Sequence, residues 1–270
     1  MTPRSLALIG LLICLCVNNM SQLASAEVQS KVIIYKDGET ELQGYLAWDD
    51  ALTGKRPGVL VVHEWWGLEK HAKDRARMLA SLGYVAFALD MYGEGKSSEH
   101  AEDAMAWSSQ IRENLDAWVQ RARLGLDVLL EQDNVDSNRV AAIGFCFGGA
   151  TVMQMAYAGA DLKGVVSFHG SLPVATAEQA EATQAKVLVC HGEDDPFVPA
   201  ERIVEFKNML TAGKVDWQMI SYANTVHSFT NPDADSHNMD GVSYNESTDK
   251  RSWAHMKQFF AEIFAQSNDN

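Results

Sequence analysis

The chain has 270 residues, 47% of them hydrophobic and only 6 of them proline, which supplies a substantial core and excludes a disordered chain. Acidic residues outnumber basic ones 36 to 22, a formal charge of −14, which argues against the cationic face that nucleic-acid binding needs. Four cysteines are too few for a disulfide scaffold.

Residues 1–26 read as a secretory signal peptide: Arg4, an apolar run from Leu6 to Val17, then Ala24-Ser25-Ala26 as an A-x-A cleavage site. The run is well short of the roughly 20 residues that cross a bilayer. Cys14 and Cys16 belong to this leader. The expected mature protein, 27–270, is exported (periplasmic in a Gram-negative cell, or secreted), a single domain with no membrane attachment. Val28 to Tyr35 and Leu42 to Trp48 alternate as strands do, and Asp37-Gly38 between them predicts a hairpin. Gly58 to His63 is continuously apolar up to its end, as expected of a strand covered on both faces. Leu68, Ala72, Ala76 and Leu79 then recur at helical spacing until Gly83. Tyr84 to Leu89 predicts a buried strand, and Leu115 to Leu129 a long amphipathic helix. Three strand–helix units follow: Arg139 to Phe145 with a helix from Phe147, Gly164 to Phe168 with a short helix near Ala175, and Lys186 to Cys190 with a helix over Ala200 to Leu210. Val215 to Tyr222 predicts the last strand and Trp253 to Phe264 the last helix. Alternating strands and helices imply a mostly parallel sheet of about eight strands with helices on both faces, the second strand alone antiparallel.

The sharpest chemical signal is Gly144-Phe145-Cys146-Phe147-Gly148-Gly149, placed where a buried strand turns into a helix. Small residues two before and two after the central side chain permit the strained turn of a nucleophile elbow. A helix N-terminus there stabilises a thiolate through its free N–H groups; the bland reading is a buried structural cysteine. Carboxylates follow a later strand in His191-Gly192-Glu193-Asp194-Asp195-Pro196, and His227-Ser228-Phe229 follows the last one. Nucleophile, acid, histidine is the chain order of α/β-hydrolase triads. Each group falls at the C-terminal end of a strand, where open α/β sheets gather their sites.

With the G-x-C-x-G-G elbow, Asp195-Pro196-Phe197-Val198-Pro199-Ala200, His227-Ser228-Phe229, and Glu64 in His63-Glu64-Trp65-Trp66-Gly67, the chain resembles the dienelactone hydrolase family. The resemblance implies an α/β-hydrolase fold and a Cys146–His227–Asp195 triad, with Asp194 as the rival acid. It also implies that Glu64 contacts the resting thiol and helps deliver it as thiolate. The oxyanion hole is expected from the backbone N–H groups of Phe147 and Trp65. The expected activity is cysteine-dependent hydrolysis of a small ester or lactone, a carboxymethylenebutenolidase-like carboxylic ester hydrolysis without metal, nucleotide or organic cofactor. The alternatives are a thioesterase or short-chain acyl hydrolase, and a non-catalytic binding or redox-responsive protein on the same fold.

Other motifs are weaker. His63-Glu64-Trp65-Trp66-Gly67 is not H-E-x-x-H, since Gly67 stands at the second histidine. Asp233, Asp235 and Asp240 depart from the EF-hand spacing. Trp65 and Trp66 suit a substrate cleft or core packing equally. Cys146 and Cys190 are expected on strands separated by one other, beyond disulfide reach. The family holds its substrate carboxylate with two arginines; here the ungapped match gives Glu94 and Asn231, with Lys96 or Arg112 reaching the first place only through loop gaps. A neutral substrate is therefore expected.

Overall fold

The computed structural model describes residues 28–265, so the expected leader, including Cys14 and Cys16, lies outside the described residues. Val28–Asp37 (β1) and Thr40–Asp49 (β2) form the predicted hairpin, in register from Val28 opposite Asp49 to Asp37 opposite Thr40. Gly38 closes it at a φ of 58°, a left-handed conformation that costs glycine little. Arg56–Val62 (β3) leads to helix α1 (Lys70–Ser81), and Val85–Leu89 (β4) to α2 (Ala101–Arg112) and α3 (Leu115–Leu130). Val135–Phe145 (β5) turns into α4 (Phe147–Tyr157), Gly164–Phe168 (β6) precedes α5 (Ala177–Ala182), and Lys186–Gly192 (β7) precedes α6 (Ala200–Ala212). Trp217–Tyr222 (β8), a short 3-10 turn at Ala234–His237 and α7 (Glu246–Ile263) complete the chain.

The eight strands form one sheet in the order β1-β2-β4-β3-β5-β6-β7-β8. Only β2 runs against its neighbours, pairing antiparallel with both β1 and β4; the other pairings are parallel. The pleat sorts β3 between two cores. Leu60 and Val62 join Trp118, Ala122, Phe147 and Phe206 beneath α3, α4 and α6, while Val59 and Val61 join Ala72, Leu79, Met256 and Phe260 beneath α1 and α7. This is the α/β-hydrolase arrangement, and both faces are covered as continuous apolar strands require.

Two elements differ from the periodicity reading. Helix α2 is absent from it because only Ala104 and Ser108 of α2 are buried, which leaves too narrow an apolar stripe to register. Helix α7 begins seven residues before Trp253, capped by the Asn245 side chain accepting the Thr248 N–H at 3.1 Å; its polar first turns hide the start. Strand β6 lies between β5 and β7, aligning Phe145, Phe168 and Cys190 across the sheet, and Cys146 and Cys190 are both free.

Candidate active site

Cys146 ends β5 and caps α4 with φ 52° and ψ −111°, the strained geometry the elbow sequence anticipates. The glycines make that turn possible: a methyl on Gly144 would strike the Gly148 carbonyl, and one on Gly148 the Val62 carbonyl. Cys146 is half-buried, whereas Cys190 is fully buried with its thiol pushed up to about 12 by desolvation.

The loops after β7 and β8 bring Asp195 and His227 together. His227 Nδ1 lies 2.7 Å from Asp195 Oδ2, and Asp195 Oδ1 accepts the Phe197 N–H at 2.9 Å. Asp194 is exposed, so the acid bonded to His227 is Asp195. Burial opposes charge on His227, but the Cys146 charge and hydrogen bonding to Cys146 and Asp195 outweigh it and push the imidazole up to about 10. Asp195 and His227 are thus bonded to each other, with Cys146 near enough to His227 to favour its charged form.

Among the described residues, Glu64 makes no hydrogen bond to the Cys146 thiol. Its hydrogen bonds run to the loop carrying His227: Ser228 Oγ donates to Oε1 at 2.7 Å and Asn231 Nδ2 to Oε2 at 2.6 Å. Ser228 adopts φ 54°, which aims its hydroxyl at Glu64. Burial raises the Glu64 carboxyl above its ordinary range, and these two donors work against that rise. Asn231 also donates to Glu69 Oε1 at 3.2 Å; burial and the Glu64 charge push Glu69 up to about 8.

The Glu64–Trp65 peptide, whose N–H is the expected second oxyanion donor, is fixed from its carbonyl side. His63 Nε2 accepts the Met91 N–H at 3.2 Å, so the imidazole proton sits on Nδ1 and donates to Glu64 O at 2.5 Å. The Tyr92 hydroxyl donates to the Trp65 carbonyl at 3.0 Å, and Asp90 secures the Tyr92 loop by accepting the N–H groups of Tyr92, Gly93 and Gly95. Among the described residues, neither the Trp65 nor the Phe147 N–H has a backbone partner. Both are free to meet a developing oxyanion.

Glu64, Glu69 and His71 are the one group of ligand atoms, among the described residues, close enough to surround a metal ion, all within 4.8 Å of one another. Their chemistry fits poorly. Arg75 Nε donates to His71 Nε2 at 3.2 Å, which leaves the imidazole proton on Nδ1, the atom that would have to ligate. Asn231 meanwhile fills the space between the carboxylates. The two carboxylates are bridged by Asn231, and His71 Nδ1 lies buried without a hydrogen-bond partner, 3.9 Å from Glu64 Oε2.

Around the nucleophile, Trp65 is half-buried, Trp66 is buried against a parallel His237 ring at 3.8 Å, and Phe197 stands exposed 5.2 Å from the His227 ring. Glu94 is exposed with Lys96 Nζ 3.7 Å away, and Asn231 is committed to Glu64 and Glu69. Arg112 stands 5.3 Å above the Phe147 ring with no acidic partner among the described residues. The structure bonds Asp195 to His227, seats Glu64 against the loop carrying His227, and sets Cys146 and Phe147 at the elbow. His63, Ser228 and Tyr92 were not foreseen as supports; for His63, the position at a strand's C-terminal end was the available signal.

Fold and site together define an α/β hydrolase. The sequence profile of the dienelactone hydrolase family matches residues 42–264, and the chain belongs to that family. It is 30% identical over 209 residues to "Protein usf" of Aquifex pyrophilus, covering 74% of this chain and 87% of that one. It is 29% identical over 240 residues to a Yersinia pestis protein named "Putative carboxymethylenebutenolidase", covering 82% and 84%. Among solved structures, a dienelactone hydrolase-like promiscuous phosphotriesterase from metagenomic libraries superposes with a TM-score of 0.86 at 42% identity, covering 89% of this chain and all of that one. The protein is accordingly a hydrolase.

Proposed function

We propose that this hydrolase cleaves small esters or lactones through a thiolate–imidazolium pair, Cys146 and His227, held by Asp195. The observation that carries the reading is the Asp195–His227 hydrogen bond standing beside the strained Cys146 elbow, with the Phe147 and Trp65 N–H groups lacking backbone partners. Cys146 attacks the substrate carbonyl, and the tetrahedral oxyanion forms against the Phe147 and Trp65 N–H groups. Protonated His227 gives its proton to the leaving alkoxide, which in a lactone stays attached as a hydroxyl. Neutral His227 then takes a proton from water, hydroxide attacks the thioester, and Cys146 leaves as thiolate. Asp195 fixes the imidazole's tautomer and stabilises its charged form. Glu64 acts in this scheme on the His227 loop through Ser228 and Asn231.

The 42% identical phosphotriesterase supports a second activity on neutral phosphotriesters. The same thiolate attacks phosphorus while the P–O bond to the leaving aryloxide or alkoxide breaks, and the same donors meet the phosphoryl oxygen. Water activated by His227 then displaces Cys146 from phosphorus. A thioester substrate meets the same machinery. The A-x-A leader supports export of the enzyme. The test is a panel of p-nitrophenyl acetate, small lactones, thioesters and a neutral phosphotriester, assayed before and after iodoacetamide. Steady ester or lactone turnover that alkylation of Cys146 abolishes supports the reading. A protein that alkylates slowly and turns over none of the panel is a binder on this fold.

A further inference from the structure

Four histidines stand at or just beyond C-terminal strand ends, and the mechanism above uses one of them directly. His169, immediately after β6, is fully buried and adopts φ 40°, a conformation uncommon for a residue with a side chain. Its ring joins two parts of the site. Nδ1 accepts the Cys146 N–H at 3.1 Å, a donor shared with the Phe168 carbonyl at 3.0 Å. Because Nδ1 is an acceptor, the proton sits on Nε2, which faces Thr230 Oγ1 at 2.8 Å. Thr230 lies three residues after His227 and is anchored in turn by Arg75, whose Nη2 donates to the Thr230 carbonyl at 2.5 Å and to Asp249 Oδ1 at 2.6 Å. The His169 and His227 rings meet edge to face with centroids 5.2 Å apart.

We propose that His169 is a positioning residue: a rigid imidazole spacer that ties the Cys146 elbow to the loop carrying His227 and so sets their separation. The spacer works only as the neutral Nε2–H tautomer. Burial, reinforced by charge on His227 and Arg75, holds the imidazole far below its ordinary range and keeps it neutral, even with Glu64 Oε1 3.9 Å from Nδ1. A purely packing role would be served by any ring against Phe145 and Phe229; it would not require an acceptor toward Cys146 and a donor toward Thr230. The proposal rests on the reading of Cys146 and His227 as the reacting pair.

The test compares His169→Phe, His169→Gln, Thr230→Val and the Phe/Val double variant, each checked for folding by circular dichroism. Two readouts are taken: kcat and KM on p-nitrophenyl acetate, and the pH dependence of Cys146 alkylation by iodoacetamide. His169→Phe and Thr230→Val should each lower kcat about tenfold or more with KM within about twofold, and should weaken alkylation below pH 7. His169→Gln, which keeps an acceptor and a donor, should recover most of the loss. The double variant should be no worse than the poorer single one, since both cut the same tie. Wild-type kcat and alkylation in a folded His169→Phe, or additive losses in the double variant, would overturn the proposal. If His169→Phe does not fold, Thr230→Val decides: an unchanged alkylation profile there overturns it. Alkylation needs no turnover, so wild-type protein inactive on every ester would refute the hydrolase reading while leaving this test intact.

Discussion

A cysteine thiol becomes a useful nucleophile only when its proton has somewhere to go. In the proposed mechanism that place is His227, whose Nδ1 Asp195 holds at 2.7 Å. Asp195→Asn keeps the shape but removes the charge, and the amide can present its N–H to His227 Nδ1, favouring the wrong tautomer. It should lower kcat roughly 10²–10³-fold with little change in KM. Steady-state kinetics on p-nitrophenyl acetate check this; a loss of less than about threefold would mean the acid is not needed. Cys146, Asp195 and His227 were legible because each is announced by a local pattern or by chain order. The partners of Glu64 were not, because Ser228 and Asn231 lie 164 and 167 residues away in sequence and meet Glu64 only once the β8 loop folds over β3.

At the scale of elements, the site is held by what pins its loops to the helices behind the sheet. Arg75 on α1 is buried, pairs with Asp249 on α7, holds the Thr230 carbonyl, and packs against the rings of Phe145 and Trp253. Its desolvated guanidinium has a carboxylate at 2.6 Å, so removing it leaves Asp249 poorly compensated. Arg75→Met should destabilise the fold by roughly 3–5 kcal/mol. Urea unfolding measures this, and a change below about 1 kcal/mol would show that the pair contributes no more than an exposed one. Strands covered on both faces were easy to read as continuous apolar runs. A weakly buried helix such as α2 was not, since its surface position leaves almost no periodic signal. The Arg75 tie was equally illegible: nothing local marks a buried arginine whose carboxylate is 174 residues away.

The whole molecule carries a charge of −14, and two groups, half-buried Glu69 and buried His227, make its stability depend on pH. Burial and the Glu64 charge raise Glu69 from 4.5 to about 8, so the folded protein holds a proton that the unfolded chain releases. This contribution is full below pH 4.5 and declines as pH rises toward 8. His227, raised from 6.5 to about 10, has the same sign at higher pH. Glu69→Gln should therefore flatten the decline between pH 5 and 8 and stabilise the protein at pH 8. Urea midpoints at the two pH values check this; an unchanged slope would place the effect elsewhere. The overall charge also bears on substrate choice. Asn231 is occupied by carboxylates and Glu94 is acidic, which leaves Arg112 as a lone cation near Phe147. Neutral aryl esters or lactones should show at least about a tenfold higher kcat/KM than a carboxylated dienelactone, through loss of a charge-assisted clamp. Arg112→Met should depress only the residual activity on the anion. A preference for the anionic dienelactone would contradict this.

The central claim is that Cys146 carries the acyl group, and the most direct measurement is to trap it. Acid quenching of the protein during turnover of p-nitrophenyl acetate, followed by peptide mass spectrometry, should find one acetyl group on the peptide containing Cys146. The label should be absent from Cys146→Ala, whose turnover should fall by at least about 10³-fold, with Cys146→Ser retaining only a trace. An acetyl group on another residue, or wild-type turnover by Cys146→Ala, would contradict the account.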